Sequence, residues 1–220
     1  MTRVELAAMI DHTLLRADAT QSEIATLCDE ATQFGFAAVS INPAWVTFCA
    51  KRLSGSGMNV NATVGFPLGA NTARIKVDEA KEAVKNGATE LDMVINVGAL
   101  KSGYTDFVES EIAAVVKAAR DVPVKIILET GFLTQGEKVS VCEMSARSGA
   151  AFVKTSTGFG RAGATTDDVA LLRQIVGKTM GVKAAGGIRG YADAMAMLAA
   201  GANRIGTSSG VGILKEMPID

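Results

Sequence analysis

Two lysines, each inside a short apolar run, are the residues of this sequence best suited to chemistry. Lys154 lies in the run Phe152–Gly158 (FVKTSTG), and Lys183 lies in Val182–Gly187 (VKAAGG). Both runs are apolar and bounded by glycine, as buried strands of parallel sheets are. An ammonium group there is costly unless it is paired, hydrated or lowered in pKa, and an amine that is partly neutral at pH 7 attacks carbonyl carbons. The two runs therefore predict Schiff-base chemistry.

The spacing of the two lysines indicates that they lie near each other. They are separated by about one strand–helix unit, and neighbouring strands lie about 4.8 Å apart. Two ammonium groups that point inward at matched height would lower one pKa from about 10.4 toward ~7–8. The alternative for Lys154 is a side chain that extends to solvent at the rim. The alternative for Lys183 is a phosphate-binding cation, which is compatible with the first role.

Asp92 is a carboxylate in an otherwise apolar run, Glu90–Asn96. Such a residue is rarely buried without a partner. A lysine ammonium could be that partner, and the carboxylate could then move protons through water. The alternative is an ion pair with a structural role only. Lys125 and Asp11 are expected to support the same polar network, whereas His12, of opposite parity to Asp11, is expected to be structural.

Turns rich in small residues follow the last predicted strands. They let backbone N–H groups approach an anion, and phosphate sites after strands seven and eight recur in eight-stranded α/β barrels. The alternative is a pair of tight turns without a ligand. The residues expected to bind phosphate or substrate are Thr157, Gly158, Gly186, Gly187, Arg189, Ser208 and Ser209.

Apolar strand-like runs alternate with helical runs along the whole chain. Gly35, Gly87, Gly149 and Gly201 each follow a helical run and precede a strand, as a left-handed glycine at a helix end does. The pattern predicts an α/β fold, a single (β/α)8 TIM barrel with a short N-terminal helix, and one domain over residues 1–220. An open doubly wound sheet is the alternative, but its usual glycine fingerprint does not follow the first strand. The predicted strands are Ala8–Asp11, Ala37–Asn42, Asn59–Val64, Glu90–Asn96, Val124–Glu129, Ala151–Lys154, Gly181–Ala184 and Arg204–Gly206.

Composition narrows the function classes. Of 220 residues, 48% are apolar and 20% charged, which is typical of a globular protein, and the net charge of −1 without a basic run argues against a nucleic-acid partner. No signal peptide or apolar segment of about 18 residues is evident, so a soluble cytoplasmic protein without membrane contact is expected. Three cysteines without CxxC spacing predict packed, reduced thiols, and one histidine predicts no catalytic metal.

These segments together resemble the deoxyribose-phosphate aldolase family, which consists of class I aldolases with a (β/α)8 fold. The resemblance extends over nearly the whole chain. Its most specific parts are the segments ELDMVINVG at 90–98, VKTSTG at 153–158 and VKAAGGIR at 182–189.

The resemblance implies a reaction and a role for each residue. The reaction is reversible cleavage of 2-deoxy-D-ribose 5-phosphate to D-glyceraldehyde 3-phosphate and acetaldehyde, in deoxyribonucleotide catabolism and without a metal or organic cofactor. Lys154 would form the imine, Lys183 would lower its pKa, and Asp92 would assist proton transfer with support from Lys125 and Asp11. The late turns would hold the sugar phosphate, and a homodimer is compatible with the family.

Two other interpretations of the sequence stay open. One is a different lysine-dependent sugar-phosphate aldolase or transaldolase, which would use the same imine chemistry. The other is a non-catalytic barrel that binds sugar phosphates.

The sequence also departs from the family. Some members have cysteine where this chain has Ser40, and some have lysine where it has Phe159, so the phosphate is expected to depend on backbone groups, Arg189 and Arg161. Longer members end in a tail with a tyrosine, whereas this sequence ends at Met217–Asp220. Another group is therefore expected to serve in proton transfer.

Overall fold

The computed structural model describes residues 1–218, and within them eight parallel strands form a closed barrel. Each strand pairs with the next along the chain, and the last pairs with the first. The strands are β1 Ile10–Leu14, β2 Ala38–Ile41, β3 Asn59–Val64, β4 Glu90–Val94, β5 Val124–Ile127, β6 Phe152–Lys154, β7 Gly181–Ala185 and β8 Arg204–Thr207. The predicted (β/α)8 barrel is thereby confirmed.

Helices surround the barrel and connect its strands. The α-helices of the described residues are α1 Arg3–Ala7, α2 Gln21–Phe34, α3 Val46–Arg52, α4 Ala73–Lys85, α5 Val97–Lys101, α6 Thr105–Ala119, α7 Gln135–Arg147, α8 Thr166–Val176, α9 Tyr191–Ala199 and α10 Gly210–Glu216. Two short 3₁₀ helices occupy Pro43–Trp45 and Thr130–Phe132. Within residues 1–218, no helix combines the length and the apolarity that crossing a bilayer requires.

The first strand begins later than the sequence predicts. Ala8 is the C-cap of the N-terminal helix α1, which begins with a capping box between Thr2 and Glu5. The strand therefore occupies Ile10–Leu14 rather than Ala8–Asp11. The correction matters for the site, because Asp11 becomes the second residue of β1 and lies deep in the barrel instead of at its rim.

The glycines predicted at helix ends all have a positive φ: 69° at Gly35, 105° at Gly87, 77° at Gly149 and 113° at Gly201. At Gly35 the left-handed conformation lets the N–H of Phe36 reach the carbonyl of Ala31 at 3.0 Å. The chain can then turn directly from α2 into β2.

The buried face of α4 includes a lysine. Ala80 and Ala83 are buried, whereas Ile75 is 49% exposed and its neighbour Lys76 is buried. Lys76 Nζ donates to the carbonyl of Val94 at 2.8 Å and to the Glu111 carboxylate at 2.8 Å. The helical period places position 76 on the buried face, and the ion pair allows a lysine to occupy it.

The three cysteines, Cys28, Cys49 and Cys142, are free and buried, as the sequence predicts. They lie in the apolar layer between the outer face of the barrel and the helices. Of the predicted C-terminal segment Met217–Asp220, residues 219–220 lie outside the described part of the chain.

Candidate active site

The interior of the barrel holds a cluster of charged side chains. Strand register sets their heights, because Lys154 is paired with Lys183, Lys183 with Arg204, and Asp92 with Lys125. Registered partners on neighbouring strands point to the same face. We call this set the interior cluster, and its members are Asp11, Glu90, Asp92, Lys125, Lys154, Lys183 and Arg204.

Asp92 is the centre of the interior cluster. One of its oxygens, Oδ2, accepts hydrogen bonds from Lys154 Nζ at 2.6 Å and from Lys183 Nζ at 2.8 Å. Its other oxygen, Oδ1, lies 3.3 Å from Lys125 Nζ. Lys183 also donates to the carboxylate of Asp11. Because both amines contact the same oxygen atom, the ammonium groups of Lys154 and Lys183 are close enough to repel each other strongly, as the sequence predicts.

Two members of the interior cluster, Glu90 and Arg204, were missed by the sequence analysis. Glu90 Oε2 accepts from Lys125 at 2.5 Å, and Glu90 Oε1 accepts from Arg204 at 2.5 Å. Arg204 also lies 3.0 Å from Asp11 Oδ1. The parity of Glu90 with Asp92 was visible in the sequence. The partnership with Arg204 was not, since the two residues are 114 positions apart.

The charges of the interior cluster do not balance when every member is ionised. It contains four cationic side chains and three carboxylates, all buried or nearly so. Loss of one proton from one lysine makes the cluster neutral. An unbalanced charge in a low-dielectric interior is costly, so the cluster favours one neutral amine.

Lys154 is the amine that loses its proton most readily. Burial lowers the pKa of Lys154 to about 8; Asp92 opposes this effect and Lys183 adds to it. For Lys183, burial also acts to lower the pKa, but Asp11 and Asp92 outweigh it and raise the pKa. The sequence predicts that a crowding cation is the main cause of a lowered lysine pKa. The structure shows that burial is the larger cause.

The carboxylate of Asp92 stays ionised. Burial acts to raise its pKa, but Lys154, Lys183 and Lys125 together hold that pKa well below its usual value. The pKa of Asp11 is also held low, because Lys183, Lys125 and Arg204 outweigh its burial. Both groups are therefore anions that accept hydrogen bonds.

A cavity of about 360 Å³ opens at the carboxyl ends of the strands, which is where barrels of this architecture place their chemistry. Lys154 lines it, whereas Lys183 and Asp92 are fully buried beneath it. The remaining predicted residues that line it are Thr157, Gly158, Gly186, Gly187, Arg189 and Ser208. The segment Thr13–Arg16, which no sequence pattern indicated, forms another wall.

Two expected phosphate ligands do not line this cavity. Ser209 occupies the N-cap position of α10, and its N–H donates to Thr207 Oγ1 at 2.9 Å. Arg161 instead packs over the ring of Phe132 at 5.2 Å. Arg189 does line the cavity, and its side chain is exposed at the mouth.

Glycines allow the loops after β6 and β7 to touch. The N–H of Ala164 donates to the carbonyl of Gly186 at 2.9 Å. A Cβ atom at Gly163 would lie 2.2 Å from that carbonyl oxygen, so only glycine fits there. Gly186 and Gly187 have φ values of 93° and 80°. These conformations bring the backbone of both loops to one side of the cavity.

His12 and Ser40 occupy structural positions. His12 Nε2 lies 2.7 Å from Glu30 Oε2, and the imidazole packs on Phe36 on the outer side of the barrel, in agreement with the sequence analysis. Ser40 is buried inside the barrel and its hydroxyl accepts from Asn61 at 2.8 Å. Neither side chain lines the cavity.

The fold and the interior cluster define a barrel enzyme. Its buried amine of lowered pKa, Lys154, lies at the floor of the cavity at the carboxyl ends of the strands. The chain belongs to the DeoC/LacD family of aldolases, whose pattern matches residues 6–216. It is therefore a lyase that makes and breaks carbon–carbon bonds.

Its relatives agree with this assignment. A deoxyribose-phosphate aldolase of Caldanaerobacter subterraneus subsp. tengcongensis is 56% identical over 97% of this chain and 94% of its own. One of Streptococcus pneumoniae is 57% identical over 96% of each chain. The structure of a tetrameric deoxyribose phosphate aldolase of Aeropyrum pernix superposes with a TM-score of 0.92 at 35% identity, over 97% of this chain and 91% of that chain.

Proposed function

We propose that this aldolase reversibly cleaves 2-deoxy-D-ribose 5-phosphate to D-glyceraldehyde 3-phosphate and acetaldehyde, with Lys154 as the Schiff-base nucleophile. One observation carries the assignment of the nucleophile. Within residues 1–218, Lys154 is the member of the interior cluster that both lines the cavity and has a pKa lowered to about 8. The names of the relatives at 56–57% identity support the substrate.

The first half of the reaction forms the imine and breaks the carbon–carbon bond. The neutral amine of Lys154 attacks C1 of the open-chain sugar, and loss of water gives a protonated imine. A base removes the proton of the C3 hydroxyl, the C2–C3 bond breaks, and its electron pair moves into the imine. The former C3 becomes the aldehyde carbon of glyceraldehyde 3-phosphate. The two carbons left on Lys154 form an enamine.

The second half restores the enzyme. Protonation of the enamine at its terminal carbon regenerates an imine, and addition of water releases acetaldehyde and the free amine. Asp92 is proposed to hold and orient water for these proton transfers, since its carboxylate is ionised and lies 2.6 Å from Lys154 Nζ. Lys183 and Asp11 keep that carboxylate in place, and Lys125 supports it from below.

The phosphate of the substrate is proposed to lie at the turns that follow β7 and β8. Gly186, Gly187 and Ser208 offer backbone and hydroxyl donors to the cavity, and Arg189 adds a guanidinium at its mouth. Thr157 and Gly158 line the same side of the cavity, because Gly158 lies next to Gly186. Small side chains allow a phosphate to approach the backbone closely.

Trapping the imine tests the nucleophile. Acetaldehyde and sodium borohydride should convert Lys154 to an ethyl-lysine, which peptide mass spectrometry locates. The Lys154→Arg variant keeps a cation at this position but cannot form an imine, so it is the matched control and should carry no adduct at residue 154. An ethyl group on another lysine, or no adduct in the parent, would contradict the assignment, and a complete lack of adduct would favour the binding barrel.

Substrate comparison tests the identity of the sugar. The family includes both DeoC and LacD aldolases, so 2-deoxyribose 5-phosphate should be compared with fructose phosphates under the same conditions. Preferential cleavage of the deoxy sugar supports the proposal. Preference for a fructose phosphate would favour a different lysine-dependent aldolase or a transaldolase.

We further propose that residues 1–220 form one domain, act in the cytoplasm without a cofactor, and associate as a homodimer. Three free, buried thiols are compatible with a reducing compartment, and the family match spans nearly the whole chain. Sedimentation equilibrium tests the assembly. A tetramer, the assembly described for the Aeropyrum pernix aldolase, would replace the dimer.

A further inference from the structure

Glu129 has an unusual backbone conformation next to the site. It follows β5 by two residues, with φ 56° and ψ 61°, in the left-handed region that residues other than glycine rarely adopt. Among residues 1–218, Arg120 is the only other non-glycine residue with a positive φ. Such conformations cost free energy and persist where the surrounding structure requires them.

The side chain of Glu129 connects two loops. It is 3% exposed, and its Oε2 accepts hydrogen bonds from the N–H of Thr157, at 3.1 Å, and from the Thr157 hydroxyl. Thr157 Oγ1 in turn accepts from the N–H of Phe159 at 3.0 Å. Glu129 therefore organises the turn that follows β6, close to Lys154.

We call the hydrogen bonds from Thr157 to Glu129 and from Phe159 to Thr157 the relay. The relay determines which backbone N–H group of the turn faces the cavity. The N–H groups of Thr157 and Phe159, on either side of Gly158, are directed to Glu129 and to Thr157 Oγ1. Gly158 lies between them with φ 87° and lines the cavity. The relay therefore turns the neighbouring N–H groups away and leaves the backbone of Gly158 at the wall.

The turn also closes tightly on the carboxylate. A Cβ atom at Gly160 would lie 2.7 Å from the carboxyl carbon of Glu129, so a larger residue does not fit. The other oxygen of Glu129, Oε1, is buried without a hydrogen-bond partner among the described residues. A buried carboxylate with an unsatisfied oxygen is costly. A contribution to stability alone therefore does not explain why a glutamate occupies position 129.

We propose that Glu129 is a positioning residue that sets the turn Thr157–Gly160 so that its backbone receives the phosphate of the substrate. The inference rests on the proposed function, because it concerns the phosphate of the same substrate. The position of the turn matters particularly in this chain, because Phe159 occupies the turn and supplies no charge to bind the phosphate. Recognition on this wall then depends on the position of backbone groups.

Substrate pairs that differ only in the phosphate test this role. Glu129→Ala removes the acceptor and should raise KM for 2-deoxyribose 5-phosphate about 10-fold more than KM for 2-deoxyribose. Glu129→Gln keeps an acceptor at the same position and should restore KM for the phosphorylated sugar to within about threefold of the parent. Equal losses on both sugars, or no rescue by glutamine, would overturn the proposal.

A binding measurement separates this proposal from the proposed function. The Kd of inorganic phosphate, measured by calorimetry, should rise in Glu129→Ala and recover in Glu129→Gln, whichever sugar the parent cleaves. Failure of the parent to cleave 2-deoxyribose 5-phosphate would refute the substrate only, whereas an unchanged Kd in Glu129→Ala would refute the positioning role. If Glu129→Ala does not fold, Thr157→Val breaks the relay at the hydroxyl and Thr157→Ser restores it. An unchanged Kd in Thr157→Val would likewise refute the role.

Discussion

Replacing Lys183 by leucine tests how the interior cluster keeps Lys154 reactive. Lys183 shares Asp92 Oδ2 with Lys154. Without it, the cluster holds three cations and three carboxylates, which balance only when Lys154 keeps its proton. Asp11 keeps a partner in Arg204, at 3.0 Å, so the variant does not leave that carboxylate alone. The pKa of Lys154 should therefore rise.

The size of the rise follows from the geometry. Two ammonium groups that contact one oxygen are about 5 Å apart, and they repel by about 3 kcal/mol at an effective dielectric constant of about 20. This energy corresponds to about 2 pH units. Starting from a pKa of about 8, the neutral fraction of Lys154 at pH 7 should fall about 100-fold. Burial, which is the largest cause of the lowered pKa, is unchanged by the substitution.

The assay is the initial rate of borohydride trapping with acetaldehyde across a pH series. In the parent, the midpoint should lie near pH 8, and in Lys183→Leu it should move upward so that the rate partly recovers in alkali. Lys183→Arg keeps the cation and should keep the midpoint close to that of the parent. Circular dichroism checks folding at each pH. A Lys183→Leu profile with the parental midpoint and only a smaller amplitude would refute the electrostatic reasoning.

Three further predictions concern the same site. Burial lowers the pKa of Lys154 from 10.5 to about 8, so between these values the unfolded chain binds more protons and the parent gains stability as pH rises. Lys154→Met should therefore raise the free energy of unfolding at pH 7 by about 3 kcal/mol, and urea titrations should show this advantage shrinking toward pH 10.5; a pH-independent difference would contradict it. Asp92→Asn should lower kcat by about 10²–10⁴-fold while borohydride still traps an adduct on Lys154, and loss of the adduct would instead assign Asp92 to imine formation. Phe159→Lys places an ammonium at the mouth, where Phe159 is 55% exposed, and should lower KM for the phosphorylated sugar about two- to fivefold; an equal change with unphosphorylated 2-deoxyribose would show that charge is not the cause.

Local patterns in the sequence predicted the barrel and the members of the site that lie on strands. The alternation of apolar runs with helical runs gave eight strands, and side-chain alternation placed Lys154, Lys183 and Asp92 on the inside. Both signals depend on residues close together in the chain. The predicted bounds of β1 were wrong, because Ala8 ends the capped helix α1 and the strand occupies Ile10–Leu14.

The positions of the turns could not be predicted from local sequence patterns. The sequence identified small residues after β6, β7 and β8, but the structure leaves Ser209 off the cavity wall and adds Thr13–Arg16 to it. The position of a loop depends on the loops beside it, as the contact between Gly163 and Gly186 illustrates. A single sequence does not encode such contacts in any short segment.

By itself, the sequence determined that Lys154, Lys183 and Asp92 face the interior of the barrel, since residue parity along a strand is a local property. Only the tertiary structure decided which of the two lysines is the weaker base. Both are buried, but Lys183 lies between Asp11 and Asp92, whereas Lys154 opens to the cavity. A pKa reflects burial and every nearby charge at once, and those charges come from opposite ends of the chain, as the 172 positions between Asp11 and Lys183 illustrate.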